Sequence, residues 1–371
     1  TNGEGGRMSD TTPILVTGGA GFIGARLARR LARLGHPVTV FDTFSEQVHG
    51  NGSAARTGVA VDGINVIQGD VRDGDLIERA LRASRARVVI HLAAETGTGQ
   101  SHTEPAHYVD VNVTGTARLV EAIREVGGIR RVILSGTRAV YGEGACVDRA
   151  GLRVAAVARR EADLAIGDYA PKDKVGRSLR PVATASDTPA APTSVYASTK
   201  LMQEYLLTQG LWGSETHVGL MRLQNVYGPG QTLNNPYTGV LSVFARKIAD
   251  GEKLEVFEDG AITRDFVYVD DAVEAFVSMV QTPIVTAQPI DIGSGKGATL
   301  LEVAKKLLET MDADPDALRV TGAFRPGDIR HALADISAAK AVLGWHPNVA
   351  LDSGLIRFAE WAIAAPRTAV A

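Results

Sequence analysis

Pro13-Ile-Leu-Val-Thr-Gly-Gly-Ala-Gly-Phe-Ile-Gly24 decides the fold. Residues 13–17 form an apolar run of strand length. A glycine-rich turn follows, and residues 21–34 carry apolar residues at helical spacing. Glycines at such a junction allow a tight turn, close approach of the backbone to a pyrophosphate, and close packing of helix on strand. The helix N-terminus adds free N–H groups and the positive end of its dipole. The stretch therefore predicts a dinucleotide site built on Gly18, Gly21, Phe22, Ile23 and Gly24.

A glycine pattern alone is weak, and Asp42 supports it. Asp42 ends the next apolar run (residues 38–42), 18 residues beyond Gly24. A carboxylate there can accept both ribose hydroxyls of NAD and would repel the extra phosphate of NADP. No Arg or Lys lies directly beside it, so the expected cofactor is NAD. The bland alternative is that Asp42 merely ends a strand and starts a turn. Asp70 and Val71 follow a third strand, residues 64–68. Asp70 could bind the adenine amino group, and it could equally serve the N-terminus of the next helix.

Strand and helix patterns continue to alternate. A helix is expected over residues 75–83, a strand over 87–92, a long helix over 106–126 and a strand over 131–135. Near-continuous apolar strands separated by helices mean a parallel sheet covered on both faces. The fold class is α/β, a doubly wound Rossmann sheet with a smaller C-terminal α/β substrate lobe. Residues 142–192 interrupt the alternation with no clear strand; a helix at 194–209 and a strand at 217–223 resume it. Beyond, helices fit residues 240–250, 271–280, 300–311, 337–343 and 354–364, and short strands fit 254–257, 266–269 and 289–292. The expected organisation is a flexible leader at 1–12, a Rossmann domain at 13–223 with its insertion at 142–192, and a substrate lobe at 224–371 partly interleaved with it.

Composition excludes several classes. The chain has 371 residues, 45% hydrophobic and 22% charged, which is ordinary for a globular protein. Lys plus Arg number 39 against 42 Asp plus Glu, a net charge of −3, so nothing favours a nucleic-acid partner. No apolar run approaches the roughly 20 residues that span a bilayer. With one cysteine, Cys146, no internal disulfide or multi-cysteine metal site is possible, and the cytoplasm is the default compartment. Gly293-Ser-Gly-Lys-Gly297 lacks phosphate-loop spacing and reads as a strand-to-helix turn.

Tyr196-Ala-Ser-Thr-Lys200 opens the helix at 194–209. Positions i and i+4 share a helix face, so phenol and ammonium can enter one site. A nearby cation favours phenolate and is expected to lower the tyrosine pKa toward neutrality. The bare pattern is common by chance; its place after a nucleotide-binding half gives it weight.

The ordered set TGGAGFIG, Asp42, Gly69-Asp70-Val71, His91-Leu92-Ala93-Ala94, Asn112, Ser135-Gly136-Thr137, Val140-Tyr141-Gly142 and Tyr196/Lys200 resembles the extended short-chain dehydrogenases/reductases. More narrowly, it resembles the NAD-dependent nucleotide-sugar epimerases/dehydratases, over residues 13–364 except the insertion. The resemblance implies that Tyr196 is the acid/base and that Lys200 holds the nicotinamide ribose. Thr137 would hydrogen-bond the reacting hydroxyl. Leu92, Ala93, Ala94, Asn112 and Leu223 would line the cofactor. Thr96, Arg138, Gln224 and Asn225 would line the sugar nucleotide, and Val256 would pass its base. Arg264 and Arg325 match arginines that fork onto the pyrophosphate.

The family runs several reactions from one oxidation. Its dehydratases carry Asp-Glu after the Thr, where this chain has Arg138-Ala139. Its reductive epimerases use Cys and His with NADPH, which Asp42 opposes. A uronate decarboxylase stays open, with Arg138 as carboxylate partner. The favoured reading is a 4-epimerase, which needs no further catalytic group. Residues 94–101 and 222–231, with Asn234-Asn-Pro-Tyr-Thr-Gly239, resemble actinobacterial-type and related epimerases, one group of which acts on dTDP-6-deoxy sugars such as dTDP-L-rhamnose. Thr96 stands where galactose-type epimerases usually carry Lys. The expected partners are a nucleotide-diphosphate sugar and a second copy of the chain, paired through the long helices. A dinucleotide sensor without catalysis is the alternative from another class. One end of the 142–192 insertion follows Thr137 and the other precedes Tyr196, so a lid or wall over the sugar pocket is expected. Related insertions often carry cysteine pairs; this one has Pro171-Lys-Asp-Lys-Val-Gly176 instead, and no zinc is expected.

Overall fold

A computed structural model describes residues 11–49, 59, 63–233, 239–283, 288–325 and 327–365. Residues 1–10 of the expected 1–12 leader and most of the 234–239 stretch lie outside them. Seven parallel strands form the main sheet: β1 Ile14–Thr17, β2 Val38–Asp42, β3 Ile64–Gln68, β4 Val88–His91, β5 Arg131–Thr137, β6 His217–Leu223 and β7 Ile290–Ile292. Their order is β7-β6-β5-β4-β1-β2-β3, the Rossmann order with one strand added at an edge.

Side-chain alternation along each strand feeds two cores. Ile14, Val16, Val38, Val40, Ile90 and Ile133 face the layer carrying helices Phe22–Arg33 and Val269–Gln281. Leu15, Phe41, Val89, Val132 and Leu134 face the opposite layer with helices Gly74–Ser84 and Gly115–Val126. Full burial of such a side chain stabilises by about 1.5–3 kcal/mol, so this double-faced strand pattern is the main source of the fold's stability.

A third core surrounds Tyr227, Phe266, Tyr268 and Phe358. Tyr227 meets these three rings edge-on, at centroid distances of 6.0, 5.7 and 6.5 Å. Short strands Asn225–Tyr227, Thr263–Tyr268 and Gly297–Thr299 form a small sheet beside it.

Several expectations need correction. The 289–292 strand was expected in the smaller lobe. It instead pairs with β6, Ile290 opposite Met221, and extends the main sheet. The long helix expected at 106–126 is broken into Pro105–Tyr108, a π-helical segment Val109–Thr114, and Gly115–Val126. The insertion is not strandless: Ala145–Val147 pairs antiparallel with Arg153–Ala155 and with Arg180–Pro181. These strands have three, three and two residues, too short to show a period.

Candidate active site

The carboxyl ends of β1, β2 and β4 converge at the glycine-rich turn. Gly18 has φ +67°, and its N–H donates to the Phe41 carbonyl at 2.8 Å. A Cβ at Gly18 would lie 2.6 Å from the Ala93 nitrogen, so the turn and the Leu92–Ala93 backbone are in direct contact. A Cβ at Gly24 would lie 2.3 Å from the Gly18 carbonyl oxygen. The helix Phe22–Arg33 begins at Gly21, and no side chain caps it. This uncapped helix start behind a cradle that a Cβ would fill fits a dinucleotide pyrophosphate.

Asp42 does more than end a strand. Its Oδ2 accepts from Ala20 N and its Oδ1 from Phe44 N, both at 2.9 Å. The carboxylate so ties the glycine-rich turn to the strand whose end it marks, and remaining lone pairs suit ribose hydroxyls. Asp70 is bound by its neighbour: Arg72 grips it through Nε and Nη2 and also reaches Asp110 at 2.8 Å. That guanidinium holds the Asp70 carboxyl below the usual carboxylate range. Asp70 does not serve the following helix, contrary to one expectation. Asp73 caps it, accepting from Leu76 N at 2.9 Å. Val71 is buried against Gly115.

Tyr196 stands in the first turn of helix Val195–Gly210, which Ser194 caps by accepting from Ala197 N. Thr137 ends β5; its hydroxyl accepts from Ala139 N at 3.2 Å and lies near enough to the Tyr196 phenol to oppose the rise in its pKa. Tyr108 packs edge-on against the phenol ring at 6.5 Å. The expected depression of the Tyr196 pKa is not seen. Burial raises it, and the Thr137 hydroxyl only opposes that shift. The physical reason lies at Lys200, which is buried and donates from Nζ to Gln203 Oε1 instead.

Lys200 belongs to a polar cluster that sequence reading did not find. His91 bonds the Thr17 hydroxyl at 2.7 Å and the Thr116 hydroxyl at 3.0 Å. Gln203 donates to the same Thr116 hydroxyl at 2.8 Å. Burial, and next the Lys200 charge, push His91 down to about 3, so it is neutral. Burial also pulls Lys200 down to about 7, opposed by the Glu204 carboxylate. The unfolded chain keeps Lys200 protonated to about 10.5, so between about 7 and 10.5 it binds more protons than the folded chain. The stability contributed by this site therefore climbs with pH across that window, and the cost of the buried ammonium is fully present below it. Lys200→Met is expected to flatten a plot of thermal midpoint against pH between 7 and 10.5.

Glu204 in turn forms a two-pronged pair with Arg222, at 2.9 and 2.6 Å, both side chains buried. Glu204→Gln is expected to cost about 3–5 kcal/mol in denaturant unfolding, because it strands the Arg222 charge in the interior. Helical spacing from Lys200 and the β6 position of Arg222 were visible in the sequence, but nothing there paired the two.

Asn112, in the π-helical segment, is wholly buried. Its Oδ1 accepts from Glu95 N at 2.7 Å, and its Nδ2 donates to Glu95 O and the Thr199 hydroxyl. Its side chain therefore does not line the site as expected; it fixes the 92–96 segment to the Tyr196 helix. The Thr96 carbonyl is held by the Tyr108 hydroxyl at 2.7 Å. Ala94 lies in the same segment, and Leu223, at the end of β6, is buried opposite Thr137.

Among the expected substrate residues, Gln224 is buried, its N–H on the Ile292 carbonyl at 2.9 Å. Asn225 opens the short strand beside Thr263–Tyr268. Arg264 donates from Nη2 to Asp328 at 2.9 Å, and Arg325 lies over the Phe257 ring at 4.9 Å. The Val256 side chain is a correction: it is 1% exposed within the third core, so only its backbone can face a nucleotide base. Arg138 is buried, donates to the Gly142 carbonyl at 2.8 Å, and is pulled down to about 10 by burial.

A buried phenol and amine on one helix, next to a glycine-rich dinucleotide cradle, suit an enzyme that works on a hydroxyl group with a dinucleotide. The sequence matches the NAD dependent epimerase/dehydratase family over residues 14–160 and 169–293, and the chain belongs to that family. It is 39% identical over 355 residues to a dTDP-L-rhamnose 4-epimerase of Burkholderia thailandensis, covering 95% of this chain and 96% of that one. It is 30% identical to a UDP-glucose 4-epimerase of Mycolicibacterium smegmatis, covering 94% and 97%. The crystal structure of Thermus thermophilus UDP-glucose 4-epimerase with NAD matches with a TM-score of 0.74 at 25% identity, covering 95% and 99%. No helix among the described residues is long and apolar enough to cross a membrane.

Proposed function

We propose that the chain is a nucleotide-sugar 4-epimerase, acting on a dTDP- or UDP-hexose through a transient 4-keto sugar. Bound NAD supplies a hydride acceptor and then a hydride donor. Tyr196 takes the proton of the C4 hydroxyl and later returns it to the ketone oxygen. Thr137, beside the phenol, holds that oxygen by hydrogen bonding. Lys200 serves the nicotinamide ribose, and Asp42 the adenosine ribose. Between the two transfers the keto sugar turns over in the pocket and presents its other face.

The observation that carries this reading is what flanks the Thr137–Tyr196 pair. After Thr137 come Arg138, buried and tied to Gly142, and Ala139. Neither can move a proton, so elimination of water has no acid/base pair to run it. Likeness to the rhamnose-type relative, together with Thr96, favours a dTDP-6-deoxy sugar over UDP-galactose. Substrate contacts are assigned to Thr96, Arg138, Gln224, Asn225, Arg264 and Arg325, with the backbone at Val256. The 13–223 part binds NAD and the 224–371 part the nucleotide sugar.

The test is incubation with dTDP-, UDP- and GDP-sugars without added cofactor, read by chromatography with mass detection. A new peak of unchanged mass is the expected result and names the sugar. Loss of water or carbon dioxide would replace the reading with dehydration or decarboxylation. We also assign a homodimer: Met202 and Tyr205 on the Tyr196 helix are 43% and 47% exposed, an apolar face for a second copy. A single, buried cysteine fits a reducing cytoplasm.

A further inference from the structure

The insertion reaches the segment of the expected phosphate-binding arginines through buried side chains, and Arg159 has the most partners among them. The Arg159 side chain is 3% exposed, and every arm of its guanidinium is used. Its Nε donates to Glu143 at 3.1 Å, its Nη1 to Glu258 at 2.7 Å, and its Nη2 to the Asp328 carbonyl at 2.8 Å. Glu143 lies just past β5 and Glu258 just past strand Leu254–Val256, so Arg159 joins three separate parts of the chain.

The other ends of these partners converge on one segment. The second oxygen of Glu143 accepts from Arg330 N at 3.0 Å, and the second oxygen of Glu258 accepts from Arg330 Nη1 at 2.6 Å. Asp328, whose carbonyl Arg159 holds, grips Arg264 with its carboxylate at 2.9 Å. Arg325 lies three residues upstream, and the Arg325 carbonyl accepts from Asp328 N. Two further ties run from insertion to segment: Thr184 N donates to Leu333 O at 2.8 Å, and Asp335 N to Thr184 O at 2.9 Å.

We propose that Arg159 is a positioning residue for nucleotide-sugar binding: from inside the insertion it fixes residues 328–330, and through Asp328 it sets the aim of Arg264 at the diphosphate. This rests on the reading that the substrate is a nucleoside diphosphate sugar. The planar fork matters as much as the charge. Lysine could satisfy one carboxylate but could not also hold the second and the carbonyl. Both arginines act on the part of the substrate that does not react, so their misplacement weakens binding rather than chemistry. The insertion is then a structural half of the diphosphate site.

The experiment compares wild type, Arg159→Lys and Arg159→Gln in the full-length, NAD-loaded protein. Calorimetric affinity for dTDP and UDP is measured beside KM and kcat on the sugar identified by the panel. For Arg159→Lys the proposal expects diphosphate affinity and KM each to weaken about tenfold, with kcat and NAD content near wild type; tenfold is about 1.4 kcal/mol of binding. A merely structural role would lower the thermal midpoint with affinity and KM unchanged, which overturns the proposal. A fall in kcat at constant KM also overturns it. Should Arg159→Gln fail to fold, Arg159→Lys alone decides. Wild type that binds neither dTDP nor UDP sinks the underlying reading, an outcome separable from a variant that binds like wild type.

Discussion

Tyr196→Phe is expected to keep its fold and its NAD yet turn over about 10³-fold more slowly, in the range that positioned acid/base catalysis supplies. The change removes one oxygen. The ring stays, and so does its edge-on contact with Tyr108 at 6.5 Å. What disappears is the hydroxyl beside Thr137. Thr137 remains, but an alcohol is far less acidic than a phenol, even one raised by burial, and is the poorer proton shuttle. Rates come from chromatography of the two epimers, and NAD content from absorbance after denaturation. Activity within tenfold of wild type would mean another group moves the proton. It would return weight to a protein that binds NAD without needing this phenol.

Gly18→Ala is expected to strip the protein of NAD and to lower its stability together. The φ of +67° already disfavours a side chain by about 1–2 kcal/mol. The added methyl would lie 2.6–2.8 Å from backbone atoms of Leu92 and Ala93, which cannot swing aside as a flexible side chain could. Relief requires moving the turn away from β4, and that displaces the amides presented to the pyrophosphate. Overpacking of this kind typically costs a further 1–3 kcal/mol or so. Purified variant with full NAD content and an unchanged thermal midpoint would show that the turn tolerates the shift and that its tightness is not what holds the cofactor.

The Rossmann half was legible because its signals are local and dense. Strand-length apolar runs, helical spacing and the glycine-rich turn all fall within short windows, and the strands at 38–42 and 64–68 match the sheet as found. That Tyr196 and Lys200 share a helix was legible for the same reason, since local spacing alone sets it. What escaped depends on distance along the chain. The π-helical break at Val109–Thr114 has no compositional mark, and only the bonds from Asn112 to Glu95 and Thr199 show its purpose. Lys200 turns toward Gln203 rather than toward its phenol, which depends on His91 and Thr116 arriving from other elements. Nothing in the unpatterned insertion singles out Arg159, and its partners lie 16, 99 and 169 residues away.

The last strand to join the main sheet carries a consequence for how the molecule comes apart. Ile290–Ile292 is supplied late in the chain, yet it seals β6 along Met221–Leu223. A fragment ending near residue 223 would leave that row of backbone donors and acceptors bare, and a bare, flat edge recruits other chains. The two halves are thus stitched rather than hinged in series: neither can be released without opening the other's sheet. Unfolding should therefore be cooperative across both, and trimming the C-terminal half should yield aggregation instead of a free-standing cofactor-binding module.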